Sequence, residues 1–405
     1  MRLSGHFKGC PLAVVDETNG KNPIRDREYP TLCYKFQQFL CSFILLLGSV
    51  SHPAIAQDVA VDPLLVRQLP QENLLLYLNG QGTPQEVRDL QDWGIRRRQI
   101  VQGMESVMGV LPGPEKKSPL DLQLLEEVDC GSYVLRSITY QSEPGSRVPA
   151  YLLVPKEALK ETARKFPAVL ALHPTHARGP EGMVGLIDSP NRQYAKELAE
   201  RGYVVIAPCY PHLGSYAPDL KGSGWKSGTL KAVWDNKRAL DLLDSLPYVQ
   251  AGRYAAIGHS LGGHNSVYTA VFDDRIQVII SSCGLDSYVD YYKGNPEVWK
   301  PGRGWTQERY MPHMALYAGR LGDIPFDFHE MIAALAPRQT LIIAPFRDSN
   351  FRPESVDRIA AAARPVYQLY NANDALQVEH PDADHDFPSD MREKAYQLID
   401  SVLKP

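Results

Sequence analysis

Three things are scarce in this chain of 405 residues: cysteine, an excess of charge of one sign, and long apolar runs. There are six cysteines, and only Cys130, Cys209 and Cys283 lie beyond residue 56, so we expect small buried thiols rather than a disulfide framework or a zinc site. The 43 lysines and arginines nearly balance the 47 aspartates and glutamates, which argues against a nucleic-acid partner and an acidic tail. The oligomeric state does not follow from these features.

The longest apolar run, residues 39–50, is shorter than the roughly 20 residues that a transmembrane helix needs. It follows the basic residue Lys35 and precedes AIA at residues 54–56, which has the form of a small-residue cleavage site. This is the pattern of a secretory signal peptide. We therefore expect a leader over residues 1–56, cleavage after Ala56, a secreted or periplasmic protein and no membrane contact after cleavage; an uncleaved anchor is the alternative. Because polar residues precede the run, we also expect translation to start near Leu32.

Residues 57–124 have apolar residues at helical spacing, which predicts an N-terminal helical extension packed on the main domain. The segment TPQE at residues 83–86 has a hydroxyl, a proline and a glutamate in the order of a capping box, so we expect the helix to begin there. The segment LPGP at residues 111–114 should end it.

Short apolar segments then alternate with helical ones, which predicts an α/β domain over residues 125–405. We expect helices at residues 193–201 and 229–246, and strands at residues 133–140, 148–154, 166–172, 202–208, 254–258, 276–281, 340–344 and 366–369. Most strands are apolar on both faces, as in a parallel sheet covered by helices in a three-layer arrangement. Residues 288–327, rich in tryptophan, glycine and proline, are expected to be a lid or substrate-binding insertion.

The hexapeptide GHSLGG at residues 258–263 follows a predicted strand and precedes a helix-compatible stretch. This setting is that of a nucleophile elbow, in which a sharp turn exposes the serine above the sheet. We therefore expect Ser260 to be a nucleophile and the N–H of Leu261 to be one donor of an oxyanion hole.

A serine nucleophile requires a base, and the base requires an acid to orient it. The order along this kind of chain is serine, acid, histidine, so His385 in the final loop is the expected base and His380 its competitor. Asp348, after the strand at residues 340–344, is the preferred acid, and Asp286, after the preceding strand, is the alternative.

The loop HPTH at residues 173–176 should supply the second oxyanion donor. Proline has no N–H, so we expect the donor to be Thr175 rather than its neighbour. We also expect His173, Tyr210 and Trp305 to bind substrate, with aromatic residues of the insertion stacking on sugar rings. His173 and His176 beside Asp188 are too few for a metal site, so no metal is expected.

These motifs together resemble the dienelactone-hydrolase-like and acetyl-xylan-esterase-like branch of the α/β-hydrolases over most of residues 125–405. The resemblance rests on GHSLGG, LHPT, LAPRQTLIIAPFRDSNF and EHPDADHDFP. It implies an eight-stranded, mostly parallel sheet, ester hydrolysis without a cofactor, and Ser260, Asp348 and His385 as a catalytic triad. Pro174, where many relatives have glycine, departs from the pattern.

The expected function is hydrolysis of carboxylic esters through an acyl-enzyme, with acetyl esters of polysaccharides as a candidate substrate. The alternative is a serine peptidase, because prolyl-oligopeptidase-like domains share the sheet and the elbow motif. Those proteins carry a propeller at about 40–50 residues per blade, for which residues 57–124 are too few. A non-catalytic binding protein on the same scaffold would have a broken triad, and the three residues here are intact.

Overall fold

The computed structural model describes residues 69–161 and 163–404, so the leader and signal peptide expected over residues 1–56 lie outside the described residues. The helices are α1 Leu90–Met108, α2 Lys156–Lys160, α3 Tyr194–Glu200, α4 Gly228–Ser245, α5 Leu261–Phe272, α6 Phe328–Ala334, α7 Pro353–Leu369 and α8 Ser389–Leu403. The strands are β1 Leu76–Leu78, β2 Pro84–Glu86, β3 Gln123–Asp129, β4 Tyr133–Glu143, β5 Ser146–Pro155, β6 Phe166–Leu172, β7 Val204–Pro208, β8 Val249–His259, β9 Ile276–Ser282, β10 Gln339–Ile343 and β11 Leu376–Glu379.

Nine strands form one sheet in the order β11-β10-β9-β8-β6-β7-β5-β4-β3. The strands from β11 to β7 are parallel, whereas β5, β4 and β3 add to the sheet in antiparallel fashion. Because parallel strands end at the same edge, the loops after β8, β10 and β11 meet at one edge of the sheet. The mostly parallel sheet is confirmed, with one strand more than the eight expected.

Helices cover both faces of the sheet. Along β7, Val204 and Ile206 pack in one apolar cluster with residues of α4, α5, α6 and α7. Val205 and Ala207 point the other way, into a second cluster with residues of α3 and α8. This alternation, with apolar residues on both faces, is why the strand sequences read as continuous apolar runs.

Two elements differ from the sequence-based prediction at the edges of the sheet. The strand expected at residues 366–369 is wrong, because these residues form the last turn of α7, where Val366 and Tyr367 are buried. The actual edge strand, β11, follows a few residues later. At the opposite edge, β3 was not predicted, since all of its residues are exposed and its apolar side chains do not alternate.

The N-terminal extension also begins differently from the prediction. The TPQE segment does not start a helix, because its last three residues form β2, which pairs with β1. Helix α1 begins at Leu90, where the Asp89 side chain accepts hydrogen bonds from the N–H groups of Gln91 and Asp92. The buried side of α1, which includes Trp93, packs on the main apolar cluster.

The insertion between β9 and α6 contains short 3₁₀ turns and a buried aromatic core. Tyr288 contacts Trp299 and Trp305 edge to face, and each of the three side chains is at least 95% buried. Cys209 and Cys283 are buried and Cys130 is partly buried, and all three are free thiols. In the part of the chain that the structure describes, no helix is long and apolar enough to span a membrane.

Candidate active site

The turn between β8 and α5 holds Ser260 in an unusual backbone conformation, with φ 55° and ψ −119°. Its N–H donates to the Ser282 carbonyl at 2.8 Å, which fixes the turn against β9. A Cβ on Gly258 would lie under 3.0 Å from the backbone of Gly262. A Cβ on Gly262 would likewise lie under 3.0 Å from the Leu172 carbonyl. The glycines therefore permit a close approach that no other residue allows, and Ser260 lies half-buried above the sheet edge.

Ser260, His385 and Asp348 are in continuous contact. The Ser260 Oγ lies 3.0 Å from His385 Nε2. His385 Nδ1 lies 2.8 Å from Asp348 Oδ2 and 3.0 Å from Asp348 Oδ1. The Asp348 carboxylate is nearly fully buried, and its Oδ1 also accepts hydrogen bonds from the N–H groups of Asn350 and Phe351. An Nδ1–H facing this carboxylate leaves the Nε2 lone pair free to accept the serine proton.

The competing candidates lie elsewhere. The ring of His380 is hydrogen-bonded to the Ala344 carbonyl at 2.6 Å and to Asp357 at 3.0 Å. Asp286 is buried and accepts a hydrogen bond from the Arg352 N–H. Burial, assisted by the charges of neighbouring aspartates, raises the pKa of Asp286 to about 8. The structure thus brings Asp348, and not Asp286, against the histidine that contacts the serine.

Ser260 and His385 open into a cavity of about 460 Å³. One wall comes from the insertion, and the facing wall comes from the segment before α3. No aspartate or glutamate side chain of the described residues lines this cavity, and its charged side chain, Arg192, is paired with Asp386. The principal wall residues are Met183, Ile187, Ser189, Arg192, Tyr291, Tyr292, Trp305, Gln307, Tyr310, Asn350 and Phe351.

Leu261 and Thr175 both line the cavity beside Ser260. Leu261 is the first residue of α5, so its N–H has no partner within the helix and lies at the positive end of the helix dipole. The Thr175 hydroxyl is 2.9 Å from the Tyr310 hydroxyl, which joins this loop to the insertion. Their roles as oxyanion donors remain predictions.

His173 and Tyr210, which we expected to contact substrate, do not line the cavity. His173 Nδ1 is 2.7 Å from the Pro174 carbonyl, and its Nε2 accepts the Tyr210 N–H at 2.9 Å. Burial lowers the pKa of His173 to about 4, so the ring is neutral. The Tyr210 hydroxyl donates to the Arg309 carbonyl. Both side chains are used within the protein to hold the loops behind the cavity wall.

Trp305 does line the cavity, and it contacts a residue that the sequence analysis missed. His264 is buried with its ring 4.6 Å from that of Trp305, centroid to centroid. Burial lowers the pKa of His264 to about 3, although the Gly284 carbonyl opposes the shift. His264 follows Ser260 by four residues, or about one helical turn, and this spacing was a signal that could have identified it.

Two other neighbours of the site also escaped prediction. The ring of His259 lies 4.9 Å from that of His385, and its Nδ1 is 3.1 Å from the Ser282 hydroxyl. One group of side chains among the described residues has the spacing of metal ligands. It consists of Cys283, Asp348 and His385, each of which has one potential metal-binding atom within 4.8 Å of those of the other two. The histidine and the carboxylate are hydrogen-bonded to each other, and the thiol donates to the Asp386 carbonyl. His173 and His176 belong to no such group.

The sequence and the fold of this chain are similar to those of known hydrolases. Residues 152–371 match the sequence model of a family described as glucuronyl esterase, fungi. The chain is 25% identical over 319 residues to the Bacillus subtilis protein YtaP, described as a hydrolase, covering 76% of this chain and 99% of that protein. It is 23% identical over 330 residues to 4-O-methyl-glucuronoyl methylesterase 1 of Wolfiporia cocos, covering 77% and 76%.

Among solved structures, a glucuronoyl esterase from Solibacter usitatus superposes with a TM-score of 0.65 at 19% identity. The superposition covers 82% of this chain and 97% of that one. This likeness confirms the α/β-hydrolase fold.

Proposed function

The chain belongs to the glucuronyl esterase family and is a carboxylic ester hydrolase, and from this premise we propose that its substrate is an ester whose acyl part is a uronic acid of a polysaccharide. The observation that carries the proposal is the continuous contact from Asp348 through His385 to Ser260 on the wall of a cavity. The cavity is large enough for one sugar ring and part of the alcohol.

The proposed reaction uses these groups in two steps. Ser260 attacks the ester carbonyl while His385 Nε2 takes its proton, and the Asp348 carboxylate stabilises the imidazolium that forms. The N–H groups of Leu261 and Thr175 would donate to the oxyanion. His385 then protonates the departing alcohol oxygen, and a water molecule repeats the sequence on the acyl-enzyme to release the acid and restore Ser260.

The polar groups of the cavity support a hydroxylated acyl group. Within the described residues, the Trp305 Nε1–H has no hydrogen-bond partner, whereas the buried His264 ring interacts with the Gly284 carbonyl through one of its nitrogens. A buried donor without a partner costs about 1–3 kcal/mol, which a ligand that supplies the partner would recover. With its N–H directed at the Gly284 carbonyl, the neutral His264 ring has one nitrogen left that can accept a hydrogen bond from a hydroxyl group. A sugar acid carries hydroxyl groups near its carboxyl carbon, whereas an acetyl group has none.

A comparison of ester types tests this proposal. The methyl ester of 4-O-methyl-glucuronic acid, acetylated xylan, p-nitrophenyl acetate and a prolyl p-nitroanilide separate the uronate esterase from the acetyl esterase and the peptidase. We expect the uronate ester to have the highest kcat/KM and the Ser260→Ala variant to lose activity by about 10⁴-fold or more. Preference for acetylated xylan would contradict the acyl assignment, and cleavage of the anilide alone would favour the peptidase.

The contribution of Trp305 has an internal control. Trp305→Phe keeps an aromatic ring but removes the indole N–H, so we expect kcat/KM for the uronate ester to fall by about five-fold, the equivalent of one hydrogen bond of about 1 kcal/mol. Hydrolysis of p-nitrophenyl acetate, which has no hydroxyl groups, should be unchanged. An equal loss on both substrates would contradict a contact with the sugar.

We also propose that the protein acts outside the cytoplasm after cleavage of a leader at Ala56. N-terminal sequencing of the exported protein should begin at Gln57. A first residue far from this position would contradict the cleavage site.

A further inference from the structure

The loop that carries His385 is held by its next residue, Asp386. The Asp386 carboxylate pairs with Arg192 through Nη1 and accepts the Asn191 Nδ2–H at 2.6 Å. The same guanidinium donates through Nη2 to the His385 carbonyl at 3.2 Å. Arg192 therefore contacts both the backbone of the proposed base and the side chain that follows it.

A second arginine, Arg392, holds the two segments that carry this contact. Arg392 on α8 donates to the Asn191 side chain at 2.8 Å and to the Phe387 carbonyl at 2.7 Å. Its Nε and Nη2 also pair with the two carboxylate oxygens of Glu197 on α3. The segment before α3 and the loop before α8 are thus tied together on both sides of the Asp386 carboxylate.

The electrostatics favour a charged pair at this point. Burial opposes ionisation of Asp386, but the hydrogen bonds from Arg192, the Phe387 N–H and Asn191 more than offset it and hold the pKa of Asp386 below its usual value. The Cys283 thiol donates to the backbone carbonyl of Asp386 at 3.2 Å, so it does not compete with Arg192 for the side-chain carboxylate. The loop is therefore fixed through both its backbone and its side chain.

We propose that Arg192 and Asp386 are a positioning pair that keeps His385 Nε2 within hydrogen-bond distance of Ser260. The inference rests on the proposed function, because it requires His385 to be the base. Neither residue has to contact the reacting atoms. Their effect is on the geometry of proton transfer, and displacement of a catalytic group by about 1 Å can cost about 100-fold in rate.

Removal of the guanidinium tests the inference. For Arg192→Ala we expect kcat on p-nitrophenyl acetate to fall by about 10- to 100-fold with KM nearly unchanged, because the small acyl group makes little use of the cavity wall. The Arg192 side chain is 19% exposed and lines the cavity, so free guanidinium ion can reach the vacated position. Millimolar guanidinium should restore part of the lost kcat, whereas urea at the same concentration should not.

The control is an ion pair of the same kind that lies away from the histidine. Arg201, the residue that follows α3, pairs at the surface with Glu393 on α8. Arg201→Ala should keep its kcat and show no response to guanidinium. Two milder variants show whether a loss of activity comes from misfolding. Arg192→Lys keeps the positive charge but lacks the second nitrogen that donates to the His385 carbonyl. Asp386→Asn keeps the shape of the side chain without its negative charge. Each should lose less activity than Arg192→Ala.

The outcomes are separable from those of the proposed function. A fall in kcat with an unchanged KM and rescue by guanidinium supports the positioning pair. The positioning role is overturned if Arg192→Ala keeps a kcat within about two-fold of the parent. It is also overturned if the loss of kcat in Arg192→Ala, Arg192→Lys and Asp386→Asn follows the fall in melting temperature and guanidinium does not rescue it. If the parent is an esterase that depends on Ser260, the proposed function stands whichever result is obtained with Arg192.

Discussion

Replacement of Asp348 by asparagine is expected to block the histidine in the wrong tautomer. The Asp348 Oδ1 accepts hydrogen bonds from the Asn350 N–H at 2.7 Å and the Phe351 N–H at 3.2 Å. An asparagine must keep its own oxygen at these two donors, so its amide nitrogen takes the Oδ2 position, 2.8 Å from His385 Nδ1. An N–H group there donates to Nδ1, which forces the ring proton onto Nε2, where it faces the Ser260 hydroxyl.

A histidine with its proton on Nε2 cannot accept the proton of Ser260. A tautomer block of this kind costs about 10⁴-fold in kcat in a serine protease triad, which corresponds to about 5 kcal/mol of transition-state stabilisation. We therefore expect Asp348→Asn to reduce kcat/KM on p-nitrophenyl acetate by about 10⁴-fold, with a parallel fall in the rate of labelling by a fluorophosphonate. Both are measured at neutral pH on folded protein.

The matched control is Asp286→Asn, which changes the other candidate acid in the same way. Asp286 makes its described hydrogen bond to a backbone N–H and does not contact His385. Its variant should stay within about ten-fold of the parent. The reasoning is refuted if Asp348→Asn keeps activity within ten-fold of the parent, or if the large loss belongs to Asp286→Asn.

Two further predictions concern the backbone of the elbow and the stability of the fold. Gly262→Ala would place a Cβ under 3.0 Å from the Leu172 carbonyl, so we expect kcat/KM to fall by about 100-fold or more. The control is Gly94→Ala on α1, where the new Cβ would have no atom closer than 3.8 Å and the parent rate should be kept. Equal rates in both variants would count against the steric argument. Because burial raises the pKa of Asp286 from 3.8 to about 8, the protonated side chain stabilises the fold at low pH, and this contribution is lost progressively as the pH rises from about 4 to about 8. Asp286→Asn should therefore gain stability relative to the parent between about pH 6 and 8, by up to about 3 kcal/mol in denaturant unfolding, and the difference should level off above about pH 8. A difference that does not change with pH would contradict the shift.

The inner strands of the sheet were predictable, and its edges were not. The segments at residues 166–172 and 276–281 are apolar on both faces, and the structure has strands at Phe166–Leu172 and Ile276–Ser282, the second of which is longer than predicted by one residue. The short apolar run at residues 366–369 predicts a strand, whereas in the structure it ends α7, a helix that also contains Pro365. Strand β3 has no buried face, so no pattern of hydrophobicity marks it.

The site was predictable where residues follow one another in an order set by the fold. Ser260, Asp348 and His385 were identified from a motif and from the positions of loops after strands, and the structure brings the three together. Arg192 and Asp386 are 194 positions apart, and only the folded chain shows their contact. Tyr210 does not line the cavity, and its hydroxyl group donates a hydrogen bond to the Arg309 carbonyl, an arrangement that a polar residue in a loop does not reveal in the sequence.

The most direct test of the central claim is to locate the site of fluorophosphonate labelling by mass spectrometry, with and without a uronate ester as competitor. We expect a single label on the peptide that contains Ser260, no label in Ser260→Ala, and slower labelling in the presence of methyl 4-O-methyl-glucuronate but not of acetylated xylo-oligosaccharides. A label on another serine, or protection by the acetylated sugars alone, would contradict the proposal that Ser260 accepts a uronyl group.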